Sequence, residues 1–359
     1  MKVLFLTTAA FSSSPTYKRA VGTGDELAKS GHEVIIAAMD CKENRLRMDK
    51  EASRCKVCWF RKAGMIKEAF EKIRMVWKHR PDVVYSTSYT PRNLAFLRLL
   101  LPSKTKMVIE FCELYSQYPY RRFNWKIYET IALCENKYIL CASRLLAEHF
   151  KNESVRFHLK KHIIYSPYAY PDYLKPVRDG RDNVQTVVYM ASLWKGYGVY
   201  DVFAACAKLI LKLPELQLEV LGGGPEKEAL SQLVAERELV KNVHVRGFVP
   251  ECDLNKFFSS ASVFVAPLHD TLQDKARCPS KLFYYLPYNK PIVTCRIGEP
   301  FETLGEYGYY YKSDDVDDMS RAIDQALKDS VSFSYPSGFI KNHSWAARAK
   351  QFEEFINEA

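Results

Sequence analysis

The feature that most constrains this chain is an alternation of strand-type apolar runs with helix-type segments, made twice along 359 residues. In the first half, strands are predicted at Lys2–Thr8, His32–Met39, Cys55–Phe60, Asp82–Ser86, Met107–Phe111, Lys137–Ala142 and His162–Ser166. Helices are predicted between them, from Ser14–Pro15 to Ser30, then at Met65–His79, Arg92–Leu101, Asn124–Asn136 and Ser143–Lys151. Near Tyr170–Asn183 the charged, turn-rich stretch YPDYLKPVRDGRDN breaks the pattern and reads as a linker. The alternation then restarts. Strands are expected at Gln185–Ala191, Gln217–Leu221, Val243–Arg246, Ser262–Ala266, Lys290–Thr294 and Tyr307–Tyr311. Helices are expected at Val199–Leu213, Pro225–Arg237, Asp253–Ser260, Ser280–Leu286 and Asp315–Lys328, with a last one at Ser344–Glu358. Repeated β-then-α order specifies parallel, doubly wound sheets, so the fold class is α/β with two Rossmann-like domains. The expected division is 1–170, a linker at 171–184, a second domain at 185–330, and a segment at 331–359 that packs back on the first.

A 47% hydrophobic and 26% charged composition supports two full cores and excludes a disordered chain. The net charge of +10 fits phosphorylated small molecules, an anionic membrane surface, nucleic acid or a merely solvated basic face. Apolar runs are too short for a membrane span, which needs about 18 residues; Leu94–Leu101 is interrupted by Arg98. The start, MKVLFLTTAAFSSS, imitates a secretion signal but suits a first buried strand better. Ten cysteines without framework spacing suggest reduced thiols and a cytoplasmic location. The one CxxC, Cys55–Cys58, lies in a strand-like stretch and reads as packing.

The second half carries the chemistry. A strand ends at Ala191 and is followed by Ser192, Leu193, Trp194, Lys195 and Gly196; another ends at Leu221 and is followed by Gly222, Gly223, Gly224 and Pro225. Small residues let backbone approach a pyrophosphate, and a lysine neutralises it. The stretch ARCPSKLFYYLPYNKPIVT adds Ser280 and Lys281 at a helix start, where free N–H groups and an ammonium favour anions. Each loop alone is an ordinary strand-to-helix turn. Together in one sheet they point to a phosphorylated ligand.

Residues 185–328 resemble the donor half of a family 4 glycosyltransferase of the GT-B fold, from the group 1 glycosyl transferases. The resemblance rests on VVYMASLWKG, LEVLGGGPEKEAL, KNVHVRGFVPECDLNKFFSSASVFVAPL and PSKLFYYLPYNKPIV, in that order, with HSWAARAKQFEEFI as the closing helix. The first half matches more loosely through KVLFLTT, SGHEVIIA, PDVVYS, MVIEFCELY and IIYSPYAYPDYLKP. The resemblance implies two domains facing across a cleft. It also implies that Lys195, Lys281 and the Ser280 region hold a donor diphosphate, that Gly222 and Gly223 flank the sugar nucleotide, and that Gly247 and Phe248 lie against the base. Transfer would be retaining and independent of any metal or cofactor. The paired glutamates of the family are missing: Tyr284 stands where the second would bind ribose, and Ala276 stands at the first. A tyrosine cannot take two hydroxyls as a carboxylate does. Asp270 and Asp274 read as solvated carboxylates, with sugar contact as the alternative.

On the acceptor side, Glu110 and Glu113 follow a buried strand, and Glu113 aligns with the aspartate of a D-L-W/Y segment, making it the candidate base. An ion pair of Glu113 with Arg121 or Arg122 is the competing account. Tyr118–Tyr128, YPYRRFNWKIY, suits a half-buried helix or an anionic membrane face. The expected partners are a nucleotide sugar and a glycan or lipid-linked acceptor, as in polysaccharide biosynthesis. The expected place is the cytoplasm, with peripheral attachment to the inner membrane face as an option. A binding or scaffold protein that lost catalysis at Tyr284 is the alternative; a nucleic-acid binder is disfavoured because the basic residues form no run.

Overall fold

In the computed structural model, residues 1–8, 10, 15–51, 54–94, 97–117, 122–176 and 185–358 are described. The chain divides into two compact units. Met1–Ala169, Ala276–Cys278 and His343–Ala359 form the first, and Tyr170–Lys275 with Pro279–Asn342 the second. Residues 177–184 of the expected linker lie outside the described residues, as do Ser14 and residues 118–121.

The first unit contains β1 (Lys2–Leu6), α1 (Pro15–Lys29), β2 (Glu33–Met39), α2 (Lys42–Glu51), β3 (Lys56–Phe60), α3 (Met65–His79) and β4 (Val83–Ser86). It continues through β5 (Lys106–Phe111), α4 (Arg122–Glu135), β6 (Tyr138–Cys141), α5 (Arg144–Arg156) and β7 (His162–Tyr165). The second contains β8 (Thr186–Met190), α6 (Val199–Ile210), β9 (Gln217–Leu221), α7 (Lys227–Glu236), β10 (Val243–Gly247), α8 (Glu251–Ser259) and β11 (Val263–Ala266). Then follow α9 (Leu272–Ala276), α10 (Ser280–Tyr285), β12 (Ile292–Cys295), α11 (Gly298–Leu304), β13 (Tyr309–Tyr311) and α12 (Val316–Asp329), before α13 (Trp345–Asn357). The sheets are ordered β3-β2-β1-β4-β5-β6-β7 and β10-β9-β8-β11-β12-β13. Their pairings are parallel throughout. Strand order therefore reverses between β1 and β4 in one sheet and between β8 and β11 in the other, the places where such sheets open a crevice at their carboxyl ends.

Alternation along the strands builds the first unit's two core layers. Leu4, Leu6, Ile35, Ala37 and Val84 face one layer, while Val3, Phe5, Val34, Ile36 and Tyr85 face the other. Helix α13 covers the second layer with Ala349, Phe352, Phe355 and Ile356. Its edges are tied by Lys106 Nζ to the Ile356 carbonyl at 2.9 Å and by Gln351 to the Tyr165 carbonyl at 2.7 Å. Serine and aspartate caps start helices cleanly: Ser143 accepts from Leu146 N–H, Asp315 from Asp318 N–H and Ser344 from Ala347 N–H.

Several expectations need correction. Of the helix expected at Arg92–Leu101, the described residues instead form 3₁₀ turns at Pro91–Asn93 and Arg98–Leu100, with Leu94 at φ +64° after the first, while residues 95–96 lie outside the described residues. Buried Asn93 explains the break, because its amide donates to the Leu6 carbonyl at 3.0 Å and holds the turn against the end of β1. Helices α2, α9 and α11 were not anticipated, and α6 stops at Ile210, short of Leu213. Cys55 precedes β3, so only Cys58 of the CxxC lies in the strand, and all ten cysteines are free thiols. Burial pushes the Cys55 thiol up to about 12. Trp125 of the aromatic stretch packs inward, 4.7 Å from Tyr115 and 5.7 Å from Tyr89. Among the described residues, no helix is long and apolar enough to cross a membrane.

Candidate functional site

The carboxyl edge of the second sheet is held together through its backbone. Ala191 N–H donates to the Leu221 carbonyl at 3.0 Å, Leu193 N–H to Gly223 at 2.9 Å, and Gly222 N–H to Gly247 at 2.7 Å. The turns after β8, β9 and β10 are thus one hydrogen-bonded ledge. Glycine is required at Gly222: φ is +141°, and a Cβ there would lie 1.7 Å from the Ala191 carbonyl oxygen. Gly198, at φ +75°, sits against the Pro267 ring after β11, closing the ledge at the point where strand order reverses.

Two basic segments converge on Tyr189 of β8. Its hydroxyl donates to the Tyr197 carbonyl at 2.7 Å, in the 3₁₀ turn Lys195–Tyr197, while Lys281 Nζ lies 4.8 Å from its ring centre. Tyr285, one turn beyond Lys281 on α10, accepts from the Met190 N–H at 2.9 Å and fixes that helix to the end of β8. Lys195 is exposed and Lys281 half-buried, so the first ammonium faces solvent and the second is partly screened. Helix α10 spans six residues before tightening to 3₁₀ at Leu286–Tyr288, and Pro279 at its N-cap provides no side-chain cap. A helix this short has little macrodipole, so the positive character here is mainly that of Lys281. Ser280, half-buried, opens it. Gly223 and Phe248 lie side by side, and Phe248 is 70% exposed, an uncovered ring next to bare backbone. Tyr284 is buried at 4% exposure. The roles of Tyr189 and Tyr285 were not read from the sequence, since a tyrosine in an apolar strand or helix has no signature beyond packing.

Asp274 is not a surface carboxylate: it is buried, and its Oδ2 accepts from the His269 N–H at 2.7 Å, bracing the loop after β11. Asp270 pairs with Lys275 and donates its N–H to Ser313 at 2.9 Å. Beside this loop, Asp201, His269 and Asp314 bring one ligand atom each within 4.8 Å of one another. The contact of His269 Nδ1 with Asp314 Oδ1 at 2.6 Å already joins two of the three and holds the Asp314 carboxyl below its usual range.

In the first unit the two candidate glutamates separate. Glu110 does not follow the strand but lies within β5, buried at 1% exposure, ion-paired with Arg19 and accepting from Tyr85 O–H at 2.9 Å. Burial pushes its carboxyl up against the pull of Arg19, whose guanidinium also donates to the Ser166 and Pro167 carbonyls at 2.9 Å. Glu113 is half-buried in the turn after β5, and the Tyr89 hydroxyl lies 3.5 Å from its carbonyl. Arg121 and the Arg122 side chain, its suggested partners, lie outside what the structure describes.

Residues 184–329 match the model of the family Glycosyl transferases group 1. No curated protein sequence matches the chain. Among solved structures, Anabaena HepE in complex with UDP and glucose has a TM-score of 0.78 at 12% identity, covering 100% of both chains. A glycosyltransferase from Rickettsia africae gives 0.75 at 16% identity, over 99% of this chain and 98% of that one. Sucrose-phosphate synthase from Thermosynechococcus elongatus gives 0.75 at 14%, over 100% and 98%. The resemblance to the group 1 glycosyl transferases thus holds for the second unit by family match, and the chain shares the GT-B fold with these neighbours.

Proposed function

We propose that this chain is a glycosyltransferase of family 4 that takes a sugar from a nucleoside-diphosphate donor seated on the carboxyl edge of the six-stranded sheet. The observation that carries the reading is the convergence of Lys281 and the Lys195–Tyr197 turn on Tyr189, beside a ledge whose close approach demands glycine. Transfer breaks the bond between the anomeric carbon and the diphosphate oxygen, and negative charge grows on the leaving group. The ammoniums of Lys195 and Lys281 would stabilise that charge, which is the largest effect such a site can supply without a metal. Gly222 and Gly223 admit the sugar nucleotide against backbone, and Gly247 with the exposed Phe248 ring offers a face for the base. Glu113 would orient or deprotonate the acceptor hydroxyl of a glycan or lipid-linked acceptor, with retention at the anomeric carbon. A lipid-linked acceptor would bring the protein to the inner face of the membrane.

Neighbours of the same fold have been captured with UDP and with UDP-glucose, so a uracil base is the first to try. The decisive experiment is a thermal-shift panel with UDP, GDP, ADP and CMP and their sugar conjugates. Stabilisation by one diphosphate supports the reading, and loss of transfer in Glu113→Gln with donor binding intact supports the acceptor-side role. Full transfer by Glu113→Gln removes Glu113 from the mechanism. The second reading, a non-catalytic binding protein, is favoured by the replacement of the ribose-binding carboxylate by the buried Tyr284. It predicts a folded protein that no nucleoside diphosphate stabilises.

A further inference from the structure

The first unit holds a cavity of about 360 Å³, within the range of about 300–1,000 Å³ usual for small-molecule sites. Helix α4 contributes Glu129 and Thr130, α5 contributes His149 and Glu153, and the turn after β5 contributes Ser116 and Gln117. Glu129 is 4% exposed, and its Oε1 accepts from the Ser116 N–H at 3.0 Å and the Tyr89 O–H at 3.3 Å. The carboxylate is therefore held in place from behind. The same Tyr89 hydroxyl reaches the Glu113 carbonyl at 3.5 Å, so the cavity wall and the candidate acceptor-side residue share one anchor.

The lining selects a class of ligand. Two carboxylates, Glu129 and Glu153, face the space against one ammonium, Lys126, and Glu153 is itself paired with Arg156 at 3.4 Å. A phosphate would meet like charge there. Burial pushes the Glu129 carboxyl up and the His149 imidazole down, each toward its neutral form. What suits such a wall is an uncharged molecule rich in hydroxyls that can both donate and accept, with a C–H face for Leu133 and Phe150 on the apolar side. That is the chemistry of a sugar ring.

We propose that this cavity is a binding subsite for one uncharged sugar residue of the acceptor glycan, held by Glu129, His149 and the Ser116–Gln117 turn. Its assignment to the acceptor rests on the glycosyltransferase reading; the binding itself does not. The test is saturation-transfer NMR on the intact protein with methyl glycosides of common hexoses and N-acetylhexosamines, with UDP thermal shifts measured on the same samples. At least one glycoside is expected to give a signal in the wild type. That signal should be lost in Thr130→Trp, which fills the cavity from α4, and weakened about tenfold in His149→Ala, with the UDP shift unchanged in both. Circular dichroism checks the folding of each variant, and His149→Ala decides the matter if the tryptophan is not tolerated. Silence from every glycoside, or a signal that survives both substitutions, overturns the subsite. Glycoside binding without any nucleotide shift keeps the subsite and overturns the donor reading instead.

Discussion

The two sheets are wound alike, but their carboxyl edges are finished in different materials. At the β1–β4 reversal the edge is filled with buried side-chain charge. Lys72, fully buried, donates to the Thr7 carbonyl at 2.7 Å and to Glu68 and Asn93 at 2.8 Å, and Arg92 closes on Glu68 at 2.7 Å. Burial lowers the Lys72 ammonium to about 8 in spite of Glu68. A second buried pair, Arg19 with Glu110, crosses from α1 to β5. At the β8–β11 reversal the edge is mainly backbone, with Lys195 exposed and Lys281 half-buried against the Tyr189 ring. A charge already satisfied by protein has little to offer a ligand, whereas backbone and an accessible ammonium have much. On the proposed reading, the first edge is scaffold and the second is where the donor's anionic diphosphate would sit.

The largest expected effect tests the scaffold side. Glu110→Gln would leave the Arg19 guanidinium buried without its counter-charge and should cost about 3–5 kcal/mol in chemical denaturation. A cost under about 1 kcal/mol would mean that the pair is dispensable and the contrast overstated. Next, Gly222→Ala should destabilise the protein by about 3 kcal/mol, since the added methyl meets a carbonyl oxygen at 1.7 Å in a left-handed conformation. Retained stability and retained UDP binding would show that the ledge is not backbone-limited. Lys281→Ala should leave folding nearly unchanged while weakening diphosphate binding by about 1.5–3 kcal/mol in titration calorimetry. An unchanged affinity would move the anion elsewhere.

The smallest effect concerns pH and the first unit. Burial, with Arg348 adding to it, holds the His343 imidazole down to about 4 from 6.5. The unfolded chain then binds the extra proton first, so this contribution to stability is complete above about 6.5 and is lost as pH falls toward 4. Replacing His343 by glutamine should flatten that acid limb relative to the wild type in denaturation series at pH 7 and pH 5. An identical limb would assign the acid sensitivity to other groups.

Much of the fold was legible because parallel strands buried on both faces are written as apolar runs, and turns as glycine, proline and charge. Lys2–Leu6 and Val263–Ala266 could hardly be anything else. The Arg92–Leu101 segment was misread because its helical look is local. The amide of Asn93 finds its partner at Leu6, a contact invisible along the chain. The same distance effect hid the fate of Glu110 and Asp274, two carboxylates that sit near turns in sequence yet are buried in the fold.

By itself, the sequence determined the two doubly wound sheets, the glycine turns after β8 and β9, and Lys195 within the first of them, because each follows from periodicity or from the composition of one turn. Only the tertiary structure decided which charges are buried in pairs and which lie at a sheet edge. It set Arg19 on Glu110, closed Lys72 into Thr7, Glu68 and Asn93, and brought Lys281 and the Lys195–Tyr197 turn together on Tyr189. The physical reason is that burial and pairing belong to groups far apart in the chain, and a charge has no fixed chemical role until its neighbours and its access to water are known.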